Sequence, residues 1–183
     1  MSKMANAYLI SKWRMYFKVL DVKNEGCVTK EHITQDKTKF AHFHHLEDNR
    51  KEEMMTRIEQ WWNKYILQEK PGPISEQEFV DMLNEDFKAD RDKFVKKMQT
   101  CFEQAFEINN LDGGELLSEE DFVIAFRAAG HEQITLEKKF FNAYNPVDGL
   151  VPIKQIVESW VQFMSSEDSS KPDIVKSALG TGV

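Results

Sequence analysis

The feature that most constrains this chain is a pattern that occurs four times along its 183 residues. Each time, a segment with apolar residues at helical spacing leads into a short turn, then one β-branched or leucine residue, then a second helical segment. The four single apolar residues are Val28, Ile74, Leu117 and Val151. A helix–loop–helix unit leaves its apolar face uncovered until it pairs with another. We therefore predict two paired units, with Val28 beside Ile74 and Leu117 beside Val151 in short antiparallel ladders.

The third unit carries the clearest ligand chemistry. Residues 110–121, the third loop, follow the twelve-residue calcium loop of an EF-hand, D-x-[DN]-x-[DN]-G-x5-E, with substitutions. The residues at positions 1, 3, 5, 7, 9 and 12 are Asn110, Asp112, Gly114, Leu116, Ser118 and Asp121. We predict a weak calcium site built from these residues, Gly114 excepted. Asp121 is one methylene shorter than the usual glutamate, which disfavours bidentate closure and suits magnesium.

The first loop, residues 21–32, keeps the backbone plan but has two unsuitable ligand positions. Gly26 stands at position 6, where the chain must turn sharply. The predicted metal ligands of this loop, at positions 1, 5, 7 and 9, are Asp21, Glu25, Cys27 and Thr29. With so few anionic oxygens in either loop, the protein could also hold no ion at all.

The two unsuitable positions of the first loop are occupied by Lys23, at position 3, and His32, at position 12. Imidazole nitrogen is a poor calcium ligand, and an ammonium group repels a divalent cation. Lys23 has two possible placements. It can swing outward, or it can fill the site as a tethered cation that neutralises Asp21 and Glu25. We take the second placement as the hypothesis to test.

The second and fourth loops, residues 67–78 and 144–155, have the shape of the motif without its ligands. Leu67 and Tyr144 stand at position 1, where a side-chain oxygen is needed, and Gln155 stands at position 12 of the fourth loop. We predict that these two loops bind no ion and serve only as the partners of the other two.

Residue spacing also predicts how the helices begin and extend. A charged segment with an apolar stripe predicts one long helix over roughly residues 47–66. Ser75 with Glu78, and Ser118 with Asp121, have the spacing of a capping box, in which each side chain bonds the other residue's backbone amide.

A histidine cluster ends the helix predicted over residues 30–45. His42, His44 and His45 could form a transition-metal site, or they could simply cover a solvated helix end, where imidazole suits the helix dipole. No further ligand at a fixed spacing supports the metal. Cys27 and Cys101 have no metal or redox spacing, and we expect both to be free thiols.

Composition restricts the class of protein. Apolar residues make up 41% of the chain and charged residues 30%, which is typical of a soluble globular protein. The net charge of −7 argues against nucleic-acid binding. No apolar run approaches the roughly 20 residues of a membrane span, and the N-terminal residues lack the apolar centre of a signal peptide. We expect a cytoplasmic monomer with no nucleic-acid or membrane partner.

The chain is expected to fold as two paired halves. The N-terminal half, residues 1–90, contains the first two loops, and the C-terminal half, residues 91–183, contains the last two and a tail over 165–183. The link over residues 88–92 is short and charged, without glycine or proline, so the halves should pack closely through their aromatic residues.

Five stretches resemble one known family, the invertebrate sarcoplasmic calcium-binding proteins, and the molluscan members in particular. They are SKWRMYFKVLDV, IEQWWNKYI, ISEQEFV, CFEQAFEI and VPIKQIVESWVQF, within a match that spans Tyr8 to Leu179. The resemblance implies an all-α, cup-shaped array of eight helices in two halves. It also implies a muscle-enriched protein of the sarcoplasm that buffers calcium and magnesium. Members commonly lose one or two sites.

Two other functions stay open. The wider fold group includes proteins that hold coelenterazine, so an aromatic-lined cup could bind an apolar small molecule of this luciferin type. The chain has 13 Phe, 4 Trp and 4 Tyr, but aromatic residues at helical spacing more often form an ordinary core. Catalysis has the weaker case, because the sequence contains no nucleophile elbow, phosphate loop, HExxH or paired-carboxylate motif. We predict that the protein is not an enzyme.

Overall fold

The structure, a computed structural model, describes residues 3–183, and over that range the chain is mainly helical. The helices are α1 Ala7–Leu20, α2 Lys30–Phe43, α3 Asp48–Trp61, α4 Glu76–Ala89, α5 Arg91–Asn109, α6 Glu119–Ala128, α7 Ile134–Asn142, α8 Ile153–Ser165 and α9 Ile174–Leu179. The strands are β1 Cys27–Val28, β2 Ile74–Ser75, β3 Leu116–Ser118 and β4 Leu150–Pro152. The predicted all-α fold is confirmed. None of the helices described combines the length and apolar composition needed to cross a bilayer.

Each pair of loops is joined by a short antiparallel ladder. Strand β1 pairs with β2, with Val28 opposite Ile74, and β3 pairs with β4, with Leu117 opposite Val151. Both predicted pairings are confirmed. All four side chains are at most 2% exposed, so each ladder fixes two loops to each other and to the core.

Side chains at the loop ends start the helices that follow. The Ser75 hydroxyl accepts the Glu78 amide at 3.1 Å, and the Glu78 carboxylate accepts the Ser75 amide at 3.4 Å, which completes the predicted capping box. The Ser118 hydroxyl accepts the Asp121 amide at 3.2 Å, but Asp121 does not return the bond. The aspartate side chain is one methylene shorter than the glutamate of a full capping box.

The long helix predicted over residues 47–66 is interrupted. Helix α3 ends at Trp61, and a π-helical turn follows over Trp62–Ile66, in which the Leu67 amide donates to the Trp62 carbonyl at 3.0 Å. A π-turn widens the helix and changes which side chains face inward. As a result Trp62 and Tyr65 are both only 3% exposed, while Trp61 is partly buried on the neighbouring face.

Aromatic residues join the two halves. Helices α1 and α5 both pack on α8, and α2 packs on α6. At the centre, the rings of Tyr16 and Phe102 lie 5.9 and 5.3 Å from the Trp160 ring, and 6.1 Å from each other. Offset and edge contacts at these separations stabilise aromatic pairs beyond their buried area. The compact packing expected between the halves is confirmed.

A second contact between the halves involves the first loop. Gly130 follows α6 with φ of 101°, and a Cβ there would come within 2.9 Å of a Val22 methyl carbon. Next to it, His131 Nε2 lies 2.8 Å from the Val19 carbonyl. Only glycine allows both this backbone angle and this close approach.

The C-terminal tail is more ordered than the sequence indicated. It contains the short helix α9, whose first turn is capped by the Asp173 carboxylate, which accepts the Lys176 amide at 2.9 Å. The other Asp173 oxygen lies 3.2 Å from Lys12 Nζ on α1, and Lys12 is completely buried. Burial lowers the pKa of Lys12 and the Asp173 carboxylate opposes that shift. An ammonium group buried in this way needs such a partner, so the pair fixes the tail to α1.

Candidate metal-binding loops

In the first loop, the Asp21 carboxylate is occupied by the loop's own backbone. Its Oδ1 accepts the Glu25 amide at 3.0 Å and its Oδ2 accepts the Gly26 amide at 2.7 Å. Gly26 has φ of 81°, the angle that the sequence predicted for position 6. Asp21 is only 5% exposed. The residue at position 1 therefore holds the turn together without any ion.

His32 closes the other end of the first loop. Its Nδ1 accepts the Thr29 amide at 3.1 Å, so in the neutral ring the proton is on Nε2. Nε2 is buried, has no hydrogen-bond partner in the part of the chain that the structure describes, and lies 3.9 Å from Asp21 Oδ1. This distance is too long for a hydrogen bond. Positions 1 and 12 thus face each other with a carboxylate on one side and an imidazole on the other.

The hypothesis that Lys23 replaces an ion is wrong. The Lys23 ammonium lies 3.6 Å from Glu31 Oε1, at the exposed start of α2, and makes no ion pair with Asp21 or Glu25 within residues 3–183. The outward placement, which was the alternative, is the one observed. Asp21 gains nothing from an ammonium because two backbone amides already satisfy it.

The remaining predicted ligands of the first loop are used elsewhere or are exposed. The Thr29 hydroxyl accepts the Glu31 amide at 3.2 Å and caps α2. Glu25 is exposed, and Cys27 belongs to β1, opposite Ser75. Cys27 and Cys101 are both free thiols, as expected.

The third loop has a different backbone. Asn110 is buried, and its side-chain N–H donates to the Gly114 carbonyl at 2.6 Å, which leaves its Oδ1 free to bind an ion. Gly113, at position 4, has φ of 74°, whereas Glu115, at position 6, is not in the left-handed region. The Glu115 carbonyl instead accepts the Ile153 amide at 2.9 Å, beside the ladder. The third loop therefore lacks the turn at position 6 that the first loop keeps.

Two carboxylates remain available in the third loop. Asp112 is exposed and Asp121 is half-buried. Among residues 3–183, no backbone amide donates to either carboxylate. Burial raises the pKa of Asp121, the charges of Asp112 and Glu120 add to that shift, and His44 and the Ser118 hydroxyl oppose it. The two carboxylates repel each other, which is an arrangement that a cation stabilises.

Sequence reasoning did not connect His44 with the third loop. The residue caps the end of α2 in the N-terminal half, and its ring lies 4.5 Å from the Phe40 ring. Burial lowers the pKa of His44, and the charges of Asp121, Glu120 and Asp112 oppose that shift. Its Nε2 is buried and has no hydrogen-bond partner among residues 3–183. His44 and the third loop are far apart in sequence, so only the general signal of a histidine near an acidic loop could have suggested that they influence each other.

The three histidines do not converge on a common point. Helix α2 ends at Phe43, so His44 and His45 lie beyond the observed helix although the prediction included them. His42 and His45 line a surface groove beside α6. Within the described part of the chain, no group of three or more His, Cys, Asp or Glu side chains is placed to hold a metal. Carbonyl, amide and hydroxyl oxygens, which supply much of an EF-hand ligand set, are not among those side chains.

In the second and fourth loops, position 1 belongs to the core. Leu67 is fully buried, and Tyr144 is 3% exposed, with its hydroxyl 2.7 Å from the Ser159 hydroxyl. At position 12 of the fourth loop, Gln155 donates to the Tyr144 carbonyl at 3.1 Å. A side-chain hydrogen bond thus closes the fourth loop where an ion would close a functional one.

The architecture is similar to that of two proteins of solved structure. The structure superposes on the calcium-loaded apo form of the coelenterazine-binding protein from Renilla muelleri with a TM-score of 0.69, at 14% identity, covering 92% of each chain. It superposes on n-aequorin with a TM-score of 0.68, at 13% identity, covering 97% of this chain and 98% of that one. At these identities the likeness concerns the fold alone.

The sequence comparison is more specific. No family model matches the chain. However, the chain is 33% identical over 173 residues to a sarcoplasmic calcium-binding protein of Mizuhopecten yessoensis, covering 94% of this chain and 98% of that protein. The two proteins therefore align over almost their whole lengths. Together with the four helix–loop–helix units and the two ladders, this shows that the chain belongs to the sarcoplasmic calcium-binding protein family.

Proposed function

We propose that this protein binds calcium or magnesium weakly, at the third loop, and acts as a cytoplasmic ion buffer rather than as an enzyme. One observation carries the proposal. The carboxylates of Asp112 and Asp121 receive no backbone amide from the described residues, whereas Asp21 in the first loop is occupied by two. A free pair of carboxylates at positions 3 and 12 is what a divalent cation requires.

The ligand set of the third loop explains why binding is weak. The proposed ligands are the side-chain oxygens of Asn110, Asp112, Ser118 and Asp121 and the backbone carbonyl of Leu116. Only two of them are anionic, while affinity rises with the number of anionic oxygens. We expect a dissociation constant for calcium of about 10⁻⁴–10⁻³ M, the weak end of the EF-hand range. The short Asp121 side chain favours magnesium over calcium in relative terms.

The similarity to a sarcoplasmic calcium-binding protein of Mizuhopecten yessoensis supports an ion-binding role, and the acidic net charge of −7 is compatible with it. We propose that the first loop contributes little to binding. Both Asp21 oxygens already accept a backbone amide, which reduces what they gain from an ion, and His32 supplies nitrogen instead of a bidentate carboxylate.

The test is calorimetric titration of the metal-stripped protein with calcium, with and without magnesium. Asp112→Ala and Asp121→Ala should each abolish the calcium signal, because each removes one of two anionic ligands. Asp81→Ala, which removes an exposed carboxylate on α4 outside the loops, is the matched control and should titrate like the parent. If both loop variants bind calcium as the parent does, the third loop is not the site.

The alternative of a luciferin-type ligand stays a prediction with less support. Ring centroids in the interior lie close together, for example 5.3 Å between Phe102 and Trp160 and 5.2 Å between Phe122 and Phe140. These rings fill the volume that a large ligand would need. Pockets for drug-sized ligands usually measure about 300–1,000 Å³.

A further inference from the structure

A small cavity lies between the two halves. Its wall includes Leu20 and Asn109, the last helical residues before the first and third loops. Its volume is about 140 Å³, and its walls come from α1, α2, α3, the π-turn, α5 and α6. Most of the wall is apolar, and Trp61, Trp62 and Phe40 supply its aromatic part. Engineered apolar cavities of about 150 Å³ bind benzene. This cavity therefore has the size for a single aromatic ring.

The π-turn shapes one corner of the cavity. Trp61 and Trp62 stand where α3 meets the π-turn, and both line the cavity, with ring centroids 5.8 Å apart and planes at 87°. In a regular helix consecutive side chains point about 100° apart around the axis. π-Turns occur frequently at functional sites. Here the turn makes two perpendicular aromatic walls from adjacent residues.

Among the described residues, two acceptors in the cavity wall are left unused. Trp62 Nε1 donates to Asp36 Oδ2 at 2.6 Å, and Trp61 Nε1 donates to the Cys101 carbonyl at 2.8 Å. Asn109 donates its side-chain N–H to the Ala105 carbonyl at 2.7 Å. Within residues 3–183, no donor reaches the other Asp36 oxygen or Asn109 Oδ1. Both indole N–H groups are therefore engaged, and a ligand with its own N–H would complement the wall.

The Asp36 carboxyl has an environment that favours a cationic donor. Asp36 is half-buried, and it forms part of the cavity wall. Burial raises the pKa of Asp36 to about 6, while the Trp62 hydrogen bond and Lys39 oppose the shift. At neutral pH the carboxylate is therefore mostly charged in apolar surroundings, where an opposite charge has its largest effect.

We propose that this cavity is a binding site for a small monocyclic aromatic amine, with the ring between Trp61, Trp62 and Phe40 and the ammonium directed at Asp36 and Asn109. The proposal does not require a bound metal, because none of these residues is a proposed metal ligand, although Asn109 directly precedes Asn110. It differs from a luciferin site in size, since the cavity holds one ring.

The experiment uses the whole metal-stripped protein and two probes of nearly equal shape, benzylamine and toluene. Tryptophan fluorescence and calorimetry report binding, because two indoles form the wall. Benzylamine should bind at least tenfold more tightly than toluene. Asp36→Asn should keep the Trp62 hydrogen bond, remove the charge, and weaken benzylamine at least tenfold while leaving toluene unchanged.

Two further variants make the result decisive. Ala125→Leu, which adds volume at the wall, should exclude both probes, and Asp81→Asn on exposed α4 should change neither. Circular dichroism of each variant establishes that it is folded. If neither probe binds the parent, or if Asp36→Asn binds benzylamine as tightly as the parent, the proposal is overturned. Binding of benzylamine that Ala125→Leu does not affect would place the amine elsewhere and would also overturn it.

Discussion

The first and third loops have each lost a different part of the same motif. The first keeps the glycine turn, and its Asp21 carboxylate is used to hold that turn through two backbone amides. The third has no left-handed residue at position 6, and its carboxylates remain free of backbone donors in the described chain. A loop whose backbone follows the motif is therefore not always able to bind an ion. A loop can keep its shape because its ligand has become a structural side chain.

Position 12 shows the same contrast. His32 in the first loop bonds the Thr29 amide and starts α2, so it is a helix cap. Asp121 in the third loop leaves that second capping bond unmade. His32, which completes the capping box, is the poor metal ligand. Asp121, which does not complete it, keeps a carboxylate available for an ion.

The strongest test of this contrast compares two aspartates in chelator. Asp21→Ala should lower the free energy of unfolding by about 3 kcal/mol, because it leaves two amides without their charged acceptor. Asp112→Ala, its matched control in the third loop, should change stability by no more than about 0.5 kcal/mol, since it is exposed and unbonded. Urea unfolding measures both. Equal losses would show that the two carboxylates do not differ in role.

A smaller effect is expected from restoring ligands to the first loop. Lys23→Asp with His32→Glu should raise calcium affinity there about tenfold, or about 1.4 kcal/mol. In chelator the double variant should be less stable than the parent, because the carboxylate introduced by His32→Glu faces Asp21 without a cation. Melting temperatures in chelator and in calcium decide the matter. A variant that gains stability in chelator would contradict the assignment of these positions to the ion site.

The smallest expected effect is on the pH dependence of stability, and it concerns Asp36, which is not one of the loop carboxylates. Its pKa is raised from 3.8 to about 6, so the folded state holds this proton more tightly than the unfolded state. The resulting stability is present below about pH 4 and is lost as pH rises through about 6. The full shift would correspond to about 3 kcal/mol, which partial exposure reduces to about 1 kcal/mol.

Asp36→Asn removes the titrating group and with it the loss of stability as pH rises through about 6. Relative to the parent, the variant should therefore gain about 1 kcal/mol between pH 4 and pH 7, as measured by urea unfolding at several pH values. Asp81→Asn, on the exposed face of α4, should show no such trend. A flat difference between Asp36→Asn and the parent would show that Asp36 is solvated like an ordinary surface residue.

Local patterns were predictable from the sequence and long-range placements were not. The repeat alone predicts that Val28 pairs with Ile74, because both residues stand at position 8 of their loops, where paired loops meet. The direction of Lys23 was not predictable, since it depends on competition between backbone amides and a side chain for Asp21. The position of His44 near the third loop depends on how the halves dock.

The π-turn shows the same limit. Apolar spacing predicted that Trp61 and Trp62 lie in a helix, but a π-turn and an α-helix share most of that spacing. What distinguishes them is the surface against which both indoles pack, and that surface comes from α2 and α5.

The buried pair of Lys12 and Asp173 has a consequence for how the molecule is made. The two residues are separated by 161 positions, so a ribosome synthesises Lys12 long before its counter-charge exists. Until Asp173 emerges, α1 cannot reach its final depth without leaving an ammonium unpaired in the core. Domains usually fold in the order of synthesis. In this protein α1 completes its packing only after the C-terminal tail has been synthesised, so folding in strict order of synthesis is not open to it.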